Sequence, residues 1–389
     1  MYLKNEKFMI NRYIADDISN RFFNGKAILI YGARQTGKST LVESMLKNRS
    51  EKVLRINGDD TDDKALLGRA SKSMLKSLIA GYDILFIDEA QKINDIGNII
   101  KIFTDQIKEV QVIATGSSSF ELLGKTSESL TGRKYEYTLY PFMFSELVEH
   151  HGLPAEMALL EKRLIYGSYP EVVVNQAEAM EIIKLISGSY LYKDILMIDK
   201  IRNSNLIETL LKALALQAGS EVPFSELSRL TGADRGTIEK YIKILEDAFI
   251  IFRLSGFNRN VRTELRKSKK FYFWDNGVRN AIIGNFNPLE SRSDTGALWE
   301  NYIVAERLKL LRSRKELVFT YFWRTTLQQE IDLIEERQGN FSAFEMKFNP
   351  KQKGLISQTF LDNYKISETA IVNKENYQGF LYPERFKER

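Results

Sequence analysis

The chain contains the octet Gly32-Ala33-Arg34-Gln35-Thr36-Gly37-Lys38-Ser39, which fits the pattern GxxxxGK[ST]. The apolar residues 27–31 precede it, and a segment with helical spacing begins at Thr40. Glycines let backbone N–H groups surround phosphate oxygens, and the helix that follows directs its positive end at them. We therefore predict a phosphate-binding loop in which residues 32–40 hold ATP, with Lys38 on the β- and γ-phosphates and Ser39 on Mg²⁺. The alternative is a glycine turn beside an ordinary lysine.

A second motif follows downstream, where residues 83–90 are Asp-Ile-Leu-Phe-Ile-Asp-Glu-Ala. Four apolar residues that end in two acids are typical of a buried parallel strand with carboxylates at its C-terminal edge. Asp88 would hold Mg²⁺, and Glu89 would orient and deprotonate the attacking water. Acids often flank strands, but this pattern after a phosphate-binding loop is specific. The two motifs together predict an α/β fold of the P-loop NTPase class, built on a parallel sheet.

Two further features concern the same predicted site. Residues 109–117 form a strand-like segment that ends on Thr115 and Ser117, whose hydroxyls are candidates for the γ-phosphate or the lytic water. The alternative is a simple turn at the end of a strand. Arg133 precedes another strand-like segment and is a candidate arginine finger for the nucleotide of a neighbouring subunit in a homo-oligomer. The alternative is a surface or salt-bridged arginine.

Several short motifs carry a family resemblance: residues 32–39, Ile-Asp-Glu-Ala-Gln at 87–91, Thr-Gly-Ser-Ser at 115–118, Leu-Thr-Gly-Arg at 130–133 and Gly-Ser-Tyr-Pro-Glu at 167–171. They resemble the bacterial and archaeal AAA+-type ATPases that have an uncharacterised C-terminal domain. The resemblance covers essentially the whole chain. It implies an ATPase core with a helical lid, then a winged helix, then a fold similar to the PD-(D/E)xK nucleases.

Composition limits the remaining classes. The chain has 389 residues, which favours two or three domains, and its 43% hydrophobic and 28% charged residues are typical of a globular protein. The absence of cysteine excludes disulfides and thiolate metal sites. The sequence shows neither a long uncharged apolar run nor a signal-peptide core at its start. We expect a cytoplasmic protein without a membrane partner.

Residues 222–256 fit a helix-turn-helix followed by an apolar strand. Arg235, Thr237 and Lys240 lie early on the predicted recognition helix, where such motifs contact DNA. The alternative is a protein-docking module. The next segment is rich in cations that would meet phosphates, or that would form a solvated loop. These cations are Arg259, Arg262, Arg266, Lys267, Lys269 and Lys270.

The last part of the chain contains four groups in the order of a restriction-type nuclease core. Glu300 lies on a predicted amphipathic helix and Asp332 on a predicted strand. Glu345 and Lys347 are two residues apart on another predicted strand, so they share a face. Carboxylates that bind Mg²⁺, here Asp332 and Glu345, together with a lysine are what metal-dependent phosphodiester hydrolysis needs. The alternative is a nucleotide-regulated scaffold in which Glu345 and Lys347 form a mere ion pair.

These inferences predict four domains along the chain. Residues 1–143 would be the P-loop ATPase core and residues 144–215 its helical lid. Residues 216–270 would be the winged helix-turn-helix, and residues 271–389 an α+β domain resembling restriction endonucleases. The expected cofactors are ATP and Mg²⁺, and the expected partner is DNA.

Overall fold

The computed structural model describes residues 9–68, 71–117, 130–190, 204–257, 269–325 and 329–386. The chain divides into two compact units. The first comprises Met1–Tyr140 with Asp247–Phe249, and the second comprises Pro141–Glu246 with Ile250–Arg389. Within the ranges described, no helix is long and apolar enough to cross a membrane.

The first unit is built on a parallel five-stranded sheet. Its strands are β1 (Ala27–Tyr31), β2 (Val53–Asn57), β3 (Ile84–Asp88), β4 (Gln111–Gly116) and β5 (Lys134–Thr138). They lie side by side in the order β2-β3-β4-β1-β5. Because β4 lies between β1 and β3, the C-terminal ends of these three strands are adjacent at one edge of the sheet. This α/β fold is consistent with a P-loop NTPase.

Helices cover both faces of this sheet. They are α1 (Ala15–Ser19), α2 (Lys38–Leu46), α3 (Thr61–Gly68), α4 (Lys72–Ile79) and α5 (Ile96–Gln106). Successive residues of β1 face opposite ways: Ile28 packs in the core beneath α1 and α2, and Leu29 packs in the core beneath α3 to α5. Strands buried on both faces need apolar side chains at every position, which explains the unbroken apolar runs.

The sequence predicts a single helix near residues 62–80, and this prediction is wrong. The structure has α3 and α4 instead. Ser71 begins the second helix, because its Oγ accepts a hydrogen bond from the N–H of Met74 at 3.4 Å. A serine N-cap of this kind satisfies a backbone donor that has no partner within the helix.

In the ranges that the structure describes, the second unit has a mixed sheet of seven strands. These are β6 (Glu221–Val222), β7 (Ile251–Gly256), β8 (Lys269–Phe273), β9 (Phe319–Arg324), β10 (Glu330–Arg337), β11 (Asn340–Met346) and β12 (Ile366–Val372). Their order is β12-β11-β10-β9-β7-β8-β6. The β10–β11 pair is an antiparallel hairpin with positive φ at Gln338 and Gly339.

The helices of the second unit are mostly short. They are α6 (Phe144–His151), α7 (Leu153–Ala158), α8 (Leu160–Tyr166), α9 (Pro170–Val174), α10 (Ala179–Leu185), α11 (Ser204–Leu216), α12 (Phe224–Thr231), α13 (Arg235–Asp247), α14 (Asn276–Ile283), α15 (Thr295–Ser313), α16 (Gln358–Asn363) and α17 (Tyr377–Leu381).

The described residues of the predicted lid segment, 144–190 and 204–215, are mostly helical and pack within the second unit. Asn280 on α14 donates hydrogen bonds to the carbonyls of Leu164 and Ile165 at 3.0 and 2.8 Å. Arg279 donates to the carbonyl of Ala215 at 2.8 Å. A lid position over the nucleotide stays a prediction.

Helices α12 and α13 meet at a turn where Gly232 has a φ of 71°, a conformation that glycine adopts without strain. Ile238, Ile242 and Leu245 form the buried stripe of α13. At its start, the hydroxyl of Thr237 donates to Asp234 at 2.6 Å. Thr237 therefore helps to begin the helix.

One sheet joins the strands beside this helix-turn-helix to the C-terminal strands. β7 and β9 pair in parallel, with Ser255 opposite Tyr321 and Gly256 opposite Phe322. The N–H of Phe257 extends the pairing, because it donates to the carbonyl of Phe322 at 2.6 Å. The boundary predicted between residues 270 and 271 therefore falls inside β8, in the middle of a continuous sheet.

Candidate functional site

The loop between β1 and α2 is tightly turned around two glycines. Gly37 has a φ of 89°, and Gly32 has a φ of 150° with its Cα against the carbonyl of Leu139, where a Cβ would clash. The ammonium of Lys38 donates to the carbonyls of Gly32 and Ala33 at 3.0 and 2.8 Å. The loop backbone thus holds the lysine at the mouth of the predicted phosphate site.

Three predicted site residues meet at the C-terminal edge of the sheet. Ser39 Oγ lies 2.8 Å from both carboxylate oxygens of Asp88, and the hydroxyl of Thr115 donates to the same carboxylate. Hydroxyl and carboxylate oxygens are ligands that Mg²⁺ prefers, and Mg²⁺ typically uses few protein ligands beside substrate phosphates. Ser39 and Asp88 therefore fit the predicted magnesium position.

Glu89 follows Asp88 with a φ of 47°, an uncommon conformation for a residue with a side chain. Its carboxylate accepts a hydrogen bond from Gln91 Nε2 at 2.5 Å. The same nitrogen donates to Ser117 Oγ at 2.9 Å. Gln91 therefore ties the candidate general base to the end of β4. The only sequence signal for Gln91 is its position at the end of the Ile-Asp-Glu-Ala-Gln motif, two residues after Glu89.

Gly58, which no sequence pattern above identifies, supports the backbone of the motif that contains Asp88 and Glu89. Its N–H donates to the carbonyl of Asp88 at 2.8 Å. A Cβ on Gly58 would lie 3.0 Å from the carbonyl carbon of Glu89, would clash with the oxygen on that carbon, and would lie 3.2 Å from the carbonyl oxygen of Asp88. The only sequence signal is a glycine directly after a predicted strand.

Arg12 supports the phosphate-binding loop from outside. This buried arginine donates to the carbonyl of Thr36 at 2.9 Å and to that of Tyr140 at 2.5 Å. No local sequence signal identifies it, since its partners are distant in the chain.

Arg133 lies at the N-terminal end of β5, whereas the phosphate-binding loop and Asp88 lie at the C-terminal ends of their strands. Its carbonyl accepts a hydrogen bond from the N–H of Ala27, the first residue of β1, whereas the phosphate-binding loop follows the other end of that strand. Its Nε lies 2.6 Å from the carboxylate of Asp105. Within one chain this agrees with the salt-bridged alternative. A role at a neighbouring subunit's nucleotide stays a prediction.

In the second unit, Lys270 is only 1% exposed and lies among carboxylates. Its Nζ is 2.5 Å from Glu330 Oε1, 3.1 Å from Glu300 Oε1 and 3.6 Å from Asp332 Oδ1. The prediction that Lys270 belongs to a phosphate-binding basic surface is therefore wrong. Lys269 is partly exposed and donates to Ser255. The other four cations of that predicted surface lie outside the described residues.

The remaining two predicted nuclease residues lie beside this group. Glu345 Oε1 and Lys347 Nζ are 2.6 Å apart, and the other oxygen of Glu345 is buried without a hydrogen-bond partner. Asp332 Oδ2 accepts the N–H of Met346 at 2.8 Å, which fixes its carboxylate next to β11. We call the combined group the acidic cluster: Lys270, Glu300, Glu330, Asp332, Glu345 and Lys347.

Negative charge exceeds positive charge in the acidic cluster, and the pKa values shift accordingly. Burial, with the charge of Asp332 added, raises the pKa of Glu300 to about 7. Burial and the same aspartate raise the pKa of Glu345. Burial alone would lower the pKa of Lys270, but Glu300, Asp332 and Glu330 raise it above its ordinary value.

The predicted nuclease-like fold implies a divalent metal at the acidic cluster, but the donor set does not fit one ion shared by Glu300, Asp332 and Glu345. In the part of the chain that the structure describes, no three or more acidic or histidine side chains are arranged to hold a metal. The ammonium of Lys270 contacts Glu300 and Asp332 directly. Metal binding by Asp332 and Glu345 alone stays a prediction.

The raised pKa of Glu300 predicts a pH-dependent stability. A carboxyl whose pKa rises from 4.5 to about 7 on folding stabilises the native state fully below pH 4.5, and the gain is lost as the pH rises through 7. Relative to Glu300→Gln, the wild-type free energy of unfolding should fall by about 2–3 kcal/mol over this range. Urea unfolding of both proteins at several pH values measures the difference. Parallel pH profiles would contradict the assignment.

The Gly-Ser-Tyr-Pro-Glu motif at 167–171 has a structural role in the second unit. The N–H of Ser168 donates to the carboxylate of Asp275 at 2.7 Å. A Cβ on Gly167 would clash with that carboxylate, and one on Gly277 would clash with the carbonyl of Tyr166. The motif therefore belongs to the packing of this unit.

Residues 24–148 match a family model described as an AAA domain. Residues 157–289 and 295–382 match two models described as domains of unknown function, DUF8612 and DUF4143. The first match, together with the parallel sheet, supports an AAA-type, nucleotide-binding P-loop ATPase. The other two matches state no function.

An uncharacterized protein of Mycobacterium tuberculosis is 27% identical over 329 residues, which cover 82% of this chain and 70% of that protein. An uncharacterized protein of Haemophilus influenzae is 26% identical over 282 residues, which cover 66% of this chain and 69% of that protein.

Solved structures show weaker likenesses. A STAND protein with a tetratricopeptide repeat sensor from Pyrococcus horikoshii is 14% identical with a TM-score of 0.32, over 81% of this chain and 47% of that one. This chain therefore spans about half of its length. The Pif1 helicase of Candida albicans is 13% identical with a TM-score of 0.27, over 40% of this chain and 44% of that one.

Proposed function

We propose that this protein hydrolyses ATP with Mg²⁺ and uses the cycle to act on DNA bound by the second unit. The observation that supports hydrolysis best is the convergence of Ser39, Asp88 and Thr115, with Glu89 directly beside them. Phosphoryl transfer needs positioned charges and an oriented water more than covalent chemistry, and these groups provide both.

Each side chain has a defined task in this proposal. Lys38 would contact the β- and γ-phosphates, and Ser39 and Asp88 would hold Mg²⁺, which would supply positive charge to the phosphates. Glu89 orients a water and takes its proton as the oxygen bonds to the γ-phosphorus and the bond to the leaving ADP oxygen breaks. Gln91 holds the Glu89 carboxylate in place.

The DNA part of the proposal rests on the order of elements around α13. Helices α12 and α13 are followed by β7 and β8, which pair antiparallel, and β6 pairs with β8. A helix-turn-helix followed by such strands is the plan of a winged helix. Arg235, Lys240 and Lys243 are exposed on α13. The exposed pair of Arg235 with Glu239 at 2.8 Å is weak, so a phosphate can replace it.

We expect salt-sensitive DNA binding through α13. If Lys240 and Lys243 contact phosphates, replacing both by alanine should weaken binding to all sequences. It should also reduce the slope of log K against log[salt] by about two. Fluorescence anisotropy with labelled duplexes at several salt concentrations measures this. The matched control replaces Lys351 and Lys353, two exposed lysines elsewhere in the second unit. An unchanged slope in the α13 variant would favour protein docking.

The coupling between the two activities has its own test. ATP turnover should rise when linear, plasmid or single-stranded DNA is added, and the Lys240→Ala/Lys243→Ala protein should lose that rise. Basal turnover that no form of DNA alters would count against DNA as the partner.

A second candidate is a nucleotide-regulated scaffold with an inactive nuclease-like fold, in which the winged helix docks a protein. The contacts of Lys270 with three carboxylates favour it, because they leave no three-carboxylate site for a metal. Metal-dependent DNA cleavage that disappears in Glu345→Ala would exclude this candidate.

A further inference from the structure

We propose that the ammonium of Lys270 is the built-in cation of the acidic cluster and takes the place of the divalent metal that nuclease-like folds bind. The second unit then holds its buried carboxylates together without metal and binds nucleic acid without cutting it. This inference deepens the proposed DNA function, but its own basis is the geometry around Lys270.

The number and placement of the donors fit an ammonium. A lysine ammonium has three donor hydrogens and no acceptor, and Lys270 Nζ has three carboxylates within 2.5–3.6 Å, those of Glu330, Glu300 and Asp332. The hydroxyl of Tyr272 donates to the same Glu300 oxygen at 2.7 Å. The ring of Phe322 adds a cation–π contact, with its centroid 5.4 Å from Nζ.

The backbone fixes this lysine between two strands of the sheet. Lys270 lies opposite Leu254 of β7 on one side and Glu221 of β6 on the other. Its side chain can leave the carboxylates only if it enters a space that is already packed, since the residue is 1% exposed. The cation is therefore a permanent part of the fold.

An ammonium does not replace a metal chemically. A divalent ion lowers the pKa of a bound water and polarises a phosphoryl oxygen. The Lys270 ammonium is surrounded by carboxylates and carries one charge, so it does neither. Its role is to offset repulsion among buried carboxylates, which would otherwise be costly.

The test asks whether removing the ammonium creates a metal site. All proteins in the experiment carry Asp88→Asn, which removes the predicted carboxylate ligand for a metal in the first unit. Mn²⁺ binding is measured by calorimetry and by the shift in unfolding temperature. The protein that carries only Asp88→Asn should bind no Mn²⁺, and Mn²⁺ should not shift its unfolding temperature. Adding Lys270→Met should lower the unfolding temperature, and Mn²⁺ should restore it.

Two further variants keep the test decisive. Lys270→Gln/Glu330→Gln removes one charge of each sign, so it should fold even if Lys270→Met does not. It should bind Mn²⁺, because Glu300 and Asp332, which the ammonium no longer holds, can then turn their oxygens towards one ion. Lys269→Met is the matched control on the same strand and should bind none.

Two results would overturn the inference. One is Mn²⁺ binding by the protein with native Lys270 that Glu330→Gln or Asp332→Asn removes. The other is a folded Lys270→Gln/Glu330→Gln protein that binds no Mn²⁺. ATPase and DNA-binding assays on otherwise wild-type protein are separate, so a failure of the proposed function would be recognised independently.

Discussion

Lys38→Ala should abolish ATP binding, and with it all turnover. The ammonium of Lys38 is the cation that the phosphate-binding loop holds against its own carbonyls, and no other lysine follows in the loop. Without it, the triphosphate loses the charge that contacts its β- and γ-phosphates. Equilibrium binding of a fluorescent ATP analogue measures the loss.

Glu89→Gln separates binding from chemistry at the same site. The amide keeps the shape of the side chain but cannot take a proton, so ATP should still bind while turnover falls by about 10²–10⁴-fold. Phosphate release measures the rate. The matched control is Glu43→Gln on α2, an exposed carboxylate that pairs with Arg55. If Glu89→Gln retained the wild-type rate, another base would have to be found.

Gly58→Ala should reduce turnover by about 10²-fold or more, although Gly58 carries no chemical group. The new methyl group would collide with the carbonyl of Glu89, so the backbone of the second motif must move. Misplacement of a catalytic group by about 1 Å is enough for a loss of this size. Phosphate release at saturating ATP is the measurement.

The control for this variant is Gly68→Ala. A Cβ there would meet only the Asn94 side chain, at 4.0 Å, so turnover should be unchanged. Circular dichroism establishes whether both proteins fold. A folded Gly58→Ala protein with wild-type turnover would mean that the backbone of Glu89 can shift without moving its carboxylate.

The sheet of the first unit could be predicted from the sequence because its signals are local. An apolar run followed by the octet at 32–39, and another followed by Asp88 and Glu89, each specify a buried strand and the end that carries the chemistry. Gln91 and Arg12 could not be assigned this way. Their roles depend on Ser117 and Tyr140, which folding brings close and sequence distance does not reveal.

Lys270 shows a different limit of sequence analysis. It ends a run of cations, and such runs normally face solvent. Adjacent strand residues project to opposite faces, so Lys269 and Lys270 cannot both lie on the same surface, but the sequence does not say which is buried. That depends on Glu300, Glu330 and Asp332, which folding brings around Lys270 from distant positions in the chain.

The parallel contact between β7 and β9 also determines where the chain can be divided. A fragment that ends at residue 270 would lose β9 and most of β8, so both sides of β7 would expose unpaired N–H and C=O groups. A fragment that begins at residue 271 would lack β7, so one side of β9 would expose unpaired N–H and C=O groups. Uncovered strand edges recruit other chains. Recombinant halves cut at this point would therefore self-associate through their exposed strands, whereas fragments that keep residues 204–386 together would leave every strand of the sheet with its partner.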